Sequence, residues 1–242
     1  MRKKEKILLC MVVVTALLSI LILSGFSDTN AGASEGPQNI RPNVIASFNA
    51  EVDTPEISPE SFIDPQSAVI GNVHIGKGVY VAPFASVRGD EGQRIWVGDE
   101  TNIQDGVILH ALETEENGEV VEKNLMEVNG NKYAVYIGDH VSLAHQCQVH
   151  GPAVVGNHTF VGMQAFVFKA RVGDNVVIEP AAKIIGVSIP DGRYVPAGEI
   201  IKTQDAADNL PEITDSYVFK DLNAGVLHVN EQLAEGYLKD SE

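Results

Sequence analysis

From Val69 onward an aliphatic residue returns every sixth place: Val69, Ile75, Val81 and Val87, then Val97, Ile103 and Leu109, then Ile137, Leu143, Val149, Val155 and Val161. Four places after most of these stands a smaller filler: Val73, Val79, Ala85, Thr101, Val107, Val141, Cys147, Ala153, Thr159 and Ala165. A six-residue period suits neither an amphipathic helix nor a two-faced alternating strand. It suits a parallel β-helix, in which each hexad forms one flat side of a triangular coil and three hexads complete a turn. The first and fifth places then point inward. No coil can bury its own apolar side chains, so the core comes from stacking and several coils are required. Beyond Val161 the register runs through Val167, slips by one residue to Val172, and resumes at Ile178 and Ile184. A second slip leads to Ile189, Val195 and Ile201, where Pro190 and Pro196 mark the end of the repeat.

Two insertions interrupt the count. Four extra residues lie between Val87 and Val97, where Gly89-Asp90-Glu91-Gly92 supplies turn chemistry. After the Leu109 hexad, residues 115 to 136 form an acidic loop in which Asn129-Gly130 predicts a hairpin. With both looped out, Leu109 and Val149 lie three hexads apart. His110 and His150 each hold the second place of their hexads, so they stack on one face about one strand spacing apart, roughly 4.8 Å. His145 holds the third place of its hexad, one side away.

A zinc or iron(II) ion needs several ligands within about 2.0 to 2.2 Å, so two stacked histidines make an incomplete site. His145 is nearly one full side of the triangle from His150, which makes convergence within one chain difficult. A cyclic oligomer solves this: with prisms side by side around a threefold axis, His145 of one chain can face His110 and His150 of its neighbour. His74, His140, His158 and His228 read as solvated surface residues. The place of Cys147 in the repeat predicts core packing rather than metal ligation.

The first segment stands apart. Arg2, Lys3, Lys4 and Lys6 precede an apolar run from Ile7 to Phe26, and Asn30-Ala31-Gly32-Ala33 resembles a cleavage site. Residues 1–33 therefore read as a signal peptide or, given the length of the run, a membrane anchor. Either reading exports the domain, secreted or attached to the outer face of the cell membrane. The net charge of −16 makes nucleic acid and anionic membrane surfaces poor partners. The expected layout continues with a Pro-rich extended lead-in over 34–66, a β-helix over 67–202 carrying the acidic loop 113–136, and a helical segment over 203–242. Within that last segment Asp205 to Asn209 predicts a short helix stopped by Pro211. From Tyr217 onward, Val218, Leu222, Val226, Val229, Leu233 and Tyr237 recur at helical steps and predict an amphipathic helix along one side of the prism.

Four stretches carry a family resemblance: Arg88-Gly-Asp-Glu91, Asn102-Ile-Gln-Asp-Gly-Val-Ile-Leu-His110-Ala-Leu-Glu113, Ser142-Leu-Ala-His-Gln-Cys-Gln-Val-His-Gly-Pro152 and Asp191-Gly-Arg-Tyr-Val-Pro-Ala197. They resemble the gamma-class carbonic anhydrases, in the archaeal prototype branch that carries an acidic loop. The likeness spans about Pro55 to Tyr237. It implies an all-β fold, a left-handed parallel β-helix with a C-terminal α-helix. It also implies a homotrimer with one divalent metal per subunit at the interface, zinc, iron(II) or cobalt, and reversible hydration of carbon dioxide to bicarbonate. By the same resemblance His110 and His150 bind the ion from one subunit and His145 from the next. Gln104 hydrogen-bonds the water at the ion, Glu91 accepts its proton and Glu113 passes the proton on. Asn102 orients the site, Asn230 lines its pocket, and Arg88 and Asp90 form an intersubunit ion pair. Cys147 departs from the pattern, where a small hydroxyl residue is more usual.

Two other functions compete. A hexapeptide-repeat acyltransferase needs one essential histidine and no metal, but the basic surface such enzymes use is not evident. A catalytically inactive structural trimer would not need the set of Gln104, Glu91 and Glu113.

Overall fold

The computed structural model describes residues 38–240, so the expected signal peptide or anchor lies outside the described residues. The chain divides into two units, Met1–Gln38 and Asn39–Glu242, and all that follows concerns the second.

Short parallel strands stack into three sheets of eight, seven and seven strands, the faces of a triangular prism. The first face includes Ala68–Gly71, Ser86–Gly89, Ile108–His110, Gln148–His150 and Phe166–Phe168; the second includes Val73–Ile75, Ile95–Val97, Val135–Ile137 and Ala153–Val155; the third includes Tyr80–Val81, Asn102–Ile103, Ser142–Leu143 and Phe160–Val161. Every leading aliphatic residue from Val69 to Val161 in the six-residue count is fully buried, and the fillers beneath them are buried as well. The polar fillers are satisfied. Thr101 Oγ1 donates to the Gly138 carbonyl at 3.0 Å and accepts the Val141 N–H at 3.1 Å, and Thr159 does the same two coils on. At the corner between the second and third faces, the side chains of Asp99, Asp139, Asn157, Asp174 and Asp191 each accept the backbone N–H of the coil before, at 2.7–2.9 Å. These ladders supply partners for backbone groups that the tight corners would leave orphaned.

Three expectations need correction. The prism begins earlier than the count from Val69 suggests: Ile40–Arg41 pairs with the first face, and Glu56–Ile57 and Phe62–Ile63 are the first strands of the other two, so much of the lead-in is itself coil. The acidic loop holds two hairpins. Met126–Val128 pairs with Asn131–Tyr133 across the Asn129-Gly130 turn, where both residues have positive φ, and Glu115–Glu116 pairs with Glu119–Val120. The C-terminal helix starts at Leu222, not at Tyr217, and only part of the apolar stripe packs: Leu222 and Val226 lie against Ala144, Phe160 and Val177, and Tyr237 stacks on Phe62. Asn223, Leu227, Asn230 and Ala234 face the third sheet, while Val229, Leu233 and Tyr237 remain 55%, 38% and 46% exposed. Helical periodicity identifies a stripe but not what covers it. The short helix Gln204–Asp208 forms as expected, capped by Thr203 Oγ1 accepting from the Ala206 N–H.

Candidate metal centre

On the first face the second place of each hexad points outward, and register decides what stacks there. Leu109 pairs with Val87 and with Val149, so Arg88, His110, His150 and Phe168 form one outward ladder. The His110 and His150 rings meet edge to face, centroids 5.4 Å apart, and Phe168 closes against His150 at the same distance. The pairing that follows from looping out both insertions is therefore the pairing in the fold. His150 Nδ1 lies 3.1 Å from the Gly151 carbonyl; an acceptor there requires the proton on Nδ1 and leaves Nε2 free to bind a cation.

The turn after Ser86–Gly89 brings two carboxylates to the same ladder. Glu91 Oε1 lies 3.2 Å and Asp90 Oδ1 3.4 Å from His110 Nε2, with Arg88 Nη2 at 3.3 Å from that nitrogen. Arg88 Nε also donates to Asp90 Oδ2 at 3.1 Å, so the pair that the resemblance places between subunits already closes within one chain. Burial alone would raise the Asp90 pKa; hydrogen bonding from His110 and Arg88 and the charge of Arg88 outweigh it and hold the carboxyl below its usual range. Asp90 Oδ1 is buried, with the His110 ring nitrogen 3.4 Å away and no other hydrogen-bond partner.

His145 does not join this group within a chain. It follows Ser142–Leu143 at the corner between the third and first faces, with Nδ1 3.0 Å from Asp105 Oδ2. A carboxylate accepts only, so Asp105 puts the proton on Nδ1 and presents Nε2, as Gly151 does for His150. Among the described residues, Asp90, Glu91 and His110 form the one group of three acidic, thiol or imidazole side chains close enough to share an ion. The donor set fits a divalent ion: two imidazoles of fixed tautomer, and a third facing two carboxylates, of which the buried Asp90 Oδ1 has no partner beyond that ring.

Beside His145 and Gln104, where the C-terminal helix lies on the third face, a cavity of about 370 Å³ is walled by Ala144, Phe160, Val177, Leu222 and Val226. Gln104 Nε2 donates to Asn102 Oδ1 at 2.9 Å, and Asn102 Nδ2 to Ser142 Oγ at 2.9 Å, a buried chain that fixes both amides. Asn230 is buried on the helix but spends its Nδ2 on the Val226 carbonyl of its own helix. Glu113 is exposed at the root of the acidic loop.

Sequence reasoning missed Asp105 and Phe168. Asp105 sits at the third place of the Ile103 hexad, one coil before His145, so the count that paired the other two histidines would have found it. The remaining histidines are more engaged than expected. His74 stacks on Trp96 at 3.7 Å, and His140 stacks on His158 while pairing with Glu100 at 2.8 Å. Cys147 is wholly buried, and burial pushes its thiol pKa up, which suits a core filler.

No family model matches the chain. It is 58% identical over 204 residues to a carbonic anhydrase of Methanosarcina thermophila, across 84% of this chain and 83% of that one. It is 41% identical to a carboxysome assembly protein of Nostoc, across 76% of this chain but 31% of that longer one. It is 33% identical to a mitochondrial gamma carbonic anhydrase of Arabidopsis thaliana, across 60% of this chain and 46% of that one. Among solved structures it is similar to a putative acetyltransferase of Bacillus cereus, with TM-score 0.60 at 18% identity over 77% of this chain and 93% of that one. A hexapeptide transferase family protein of Anaplasma phagocytophilum gives TM-score 0.57 at 23% identity over 76% and 93%. These two share the fold.

Proposed function

The chain belongs to the gamma-class carbonic anhydrases, and from that premise we propose that its metal centre forms between the chains of a homotrimer, with zinc, iron(II) or cobalt as the ion. The enzyme catalyses the reversible hydration of carbon dioxide to bicarbonate and a proton. His110 and His150 would hold the ion from one chain and His145 from the next. The observation that carries this reading is the separation of the imidazoles: two share one ladder, and the third is turned outward at another corner by Asp105. The exposed Val229, Leu233 and Tyr237 on the helix give a neighbouring chain apolar surface to cover.

An ion held by three imidazoles lowers the pKa of its water to about 7, a value established for the zinc of carbonic anhydrase itself in a differently folded class. The chain's own groups supply the rest. The apolar walls of the cavity beside Gln104 suit an uncharged substrate. Gln104, held by Asn102, would orient the attacking water through its free amide groups. Glu91, at hydrogen-bond distance from His110, would accept the proton, and the exposed Glu113 would pass it to solvent. Export of the domain follows from the basic residues and apolar run of segment 1–26. No helix among the described residues is long and apolar enough to cross a membrane.

Protein purified without oxygen tests this. Metal per chain, oligomeric mass and carbon dioxide hydration are measured for the natural chain and for His110→Ala. We expect one ion per chain, a trimer, and loss of both metal and activity in the variant. A metal-bearing monomer, or unchanged activity in the variant, would overturn the proposal.

A further inference from the structure

The turn that carries Asp90 and Glu91 is held by two buried side chains that reach it from elsewhere. Asn49, 2% exposed, donates from Nδ2 to the Asp90 carbonyl and accepts the Gly92 N–H on Oδ1 at 2.8 Å. Thr114 Oγ1 donates to the Glu91 carbonyl at 2.8 Å, the Thr114 N–H reaches the same oxygen at 2.9 Å, and Oγ1 accepts the Gln93 N–H. Four consecutive residues thus have a backbone polar group bound by one of these two side chains. Gly92 sits at φ +100, and a Cβ on it would come 2.6 Å from Thr114 Oγ1, so the approach admits only glycine.

A surface excursion of this size could leave its polar groups to water. Here they are held from both sides, around a residue whose Oε1 lies 3.2 Å from His110 Nε2. The segment that bears Asn49 is itself fixed. Asn49 and Ala46 exchange backbone hydrogen bonds at 3.0 and 3.1 Å, and Asn43 Nδ2 donates to the Glu51 carbonyl at 3.1 Å. It is also tied to the acidic loop: the Ala50 N–H donates to Glu115 Oε1 at 2.8 Å, and the Asn117 N–H to the Ser47 carbonyl at 2.7 Å.

We propose that Asn49 and Thr114 are positioning residues for carbon dioxide hydration, a brace that sets the backbone on either side of Glu91 and so aims its carboxylate. The chain from Asn43 to Asp53 is then part of the catalytic scaffold rather than a lead-in. Thr114 also follows Glu113 directly, so the brace fixes the backbone beneath both carboxylates of the relay. The inference rests on the reading of Glu91 as proton acceptor.

The test is a double-mutant cycle with buffer rescue. Hydration kinetics, metal per chain and oligomeric mass are measured for Asn49→Ala, Glu91→Ala and the double variant, at low and high imidazole. Asn49→Ala should lower kcat about tenfold with KM little changed, because misplacing a proton-transfer group by a fraction of an ångström costs rate rather than binding. Metal and mass should hold, high imidazole should restore most of the rate by bypassing the relay, and the double variant should be no slower than Glu91→Ala. Thr114→Val should act in the same direction, and Thr114→Ser should recover most of its loss by keeping the hydroxyl. If Asn49→Ala costs as much in the Glu91→Ala background as in the natural chain, or loses rate in proportion to metal, the brace is only structural and the inference falls. Unchanged kcat in Asn49→Ala beside a slowed Glu91→Ala refutes the brace alone. Unchanged kcat in Glu91→Ala refutes the reading beneath it.

Discussion

Asp105→Ala tests how the isolated third imidazole is prepared for an ion. In the fold, Asp105 Oδ2 lies 3.0 Å from His145 Nδ1, and the two side chains are 52% and 57% exposed. A carboxylate behind a ligand imidazole fixes its tautomer and ring direction and raises its basicity, which is typically worth 10- to 100-fold in metal affinity. The lower end applies to this pair. Both groups reach water, so without the carboxylate a solvent molecule can accept the Nδ1 proton, and what is lost is orientation and charge. We expect metal affinity about tenfold weaker in Asp105→Ala, about 1.4 kcal/mol. Asp105→Asn keeps an acceptor without the charge and should lose less. The assay is competition with a chelator of known affinity on metal-free protein. Metal-free melting temperature should stay within about 2 °C of the natural chain, since an exposed pair contributes little to folding. Affinity unchanged in Asp105→Ala would show that Asp105 does not prepare His145. A large fall in metal-free melting temperature would show that its role is in folding.

Ile137→Ala should cost about 3–4 kcal/mol in urea unfolding of the metal-free protein, within the range for large-to-small core changes. Ile137 is fully buried between Val97 and Val155, and hydrogen-bonded ladders on both sides prevent the coil from collapsing into the void; a loss below 1 kcal/mol would contradict a rigid stacked core. His74 gives a pH dependence. Desolvation lowers its pKa and outweighs Glu56, whose carboxylate at 3.7 Å is beyond hydrogen-bond length. The unfolded chain therefore binds this proton more readily, and stability declines as pH falls below the ordinary imidazole value near 6.5. His74→Phe keeps a ring on Trp96 without the titration, so its urea midpoint should fall less between pH 7.5 and 5.5 than that of the natural chain. Equal falls would show that His74 does not contribute.

The core and the stacked histidine pair were readable because a solenoid converts sequence spacing into position. Once the two insertions are removed, residues three hexads apart lie one above the other, and His110 and His150 follow by counting. Glu91 and Glu113 also leave a trace: they occupy the fifth places of the Val87 and Leu109 hexads, where an inward filler belongs, and each sits at the start of an insertion. A carboxylate cannot be packed inside unpaired, so the chain must leave the prism at those points. The C-terminal helix was only partly readable for the opposite reason. Its apolar stripe is real and Leu222 and Val226 do pack, but Asn223 and Asn230 share the buried side, their amides donating to the carbonyls of His140 and Val226. Asn49 gave no signal, since its role depends on a turn 41 residues away in an irregular segment.

A flat-sided prism also accounts for the divided site proposed above. Outward side chains on one face project in parallel, spaced by the strand separation of about 4.8 Å, so a ladder offers two neighbouring ligands but no third that converges on them. Convergence requires concavity, and a convex prism has it only where something else is laid against a face. The C-terminal helix makes one such place on the third face, and the cavity there holds Gln104 and His145. The brace on Asp90 and Glu91 makes another, bending a turn back over His110 on the first face. Each chain thus carries two partial concavities, one with the single imidazole and one with the pair, at opposite ends of the hexad between Leu143 and Val149. Neither encloses an ion alone. In the proposed trimer a second chain would close one against the other, and rotational symmetry would close every copy in the same way.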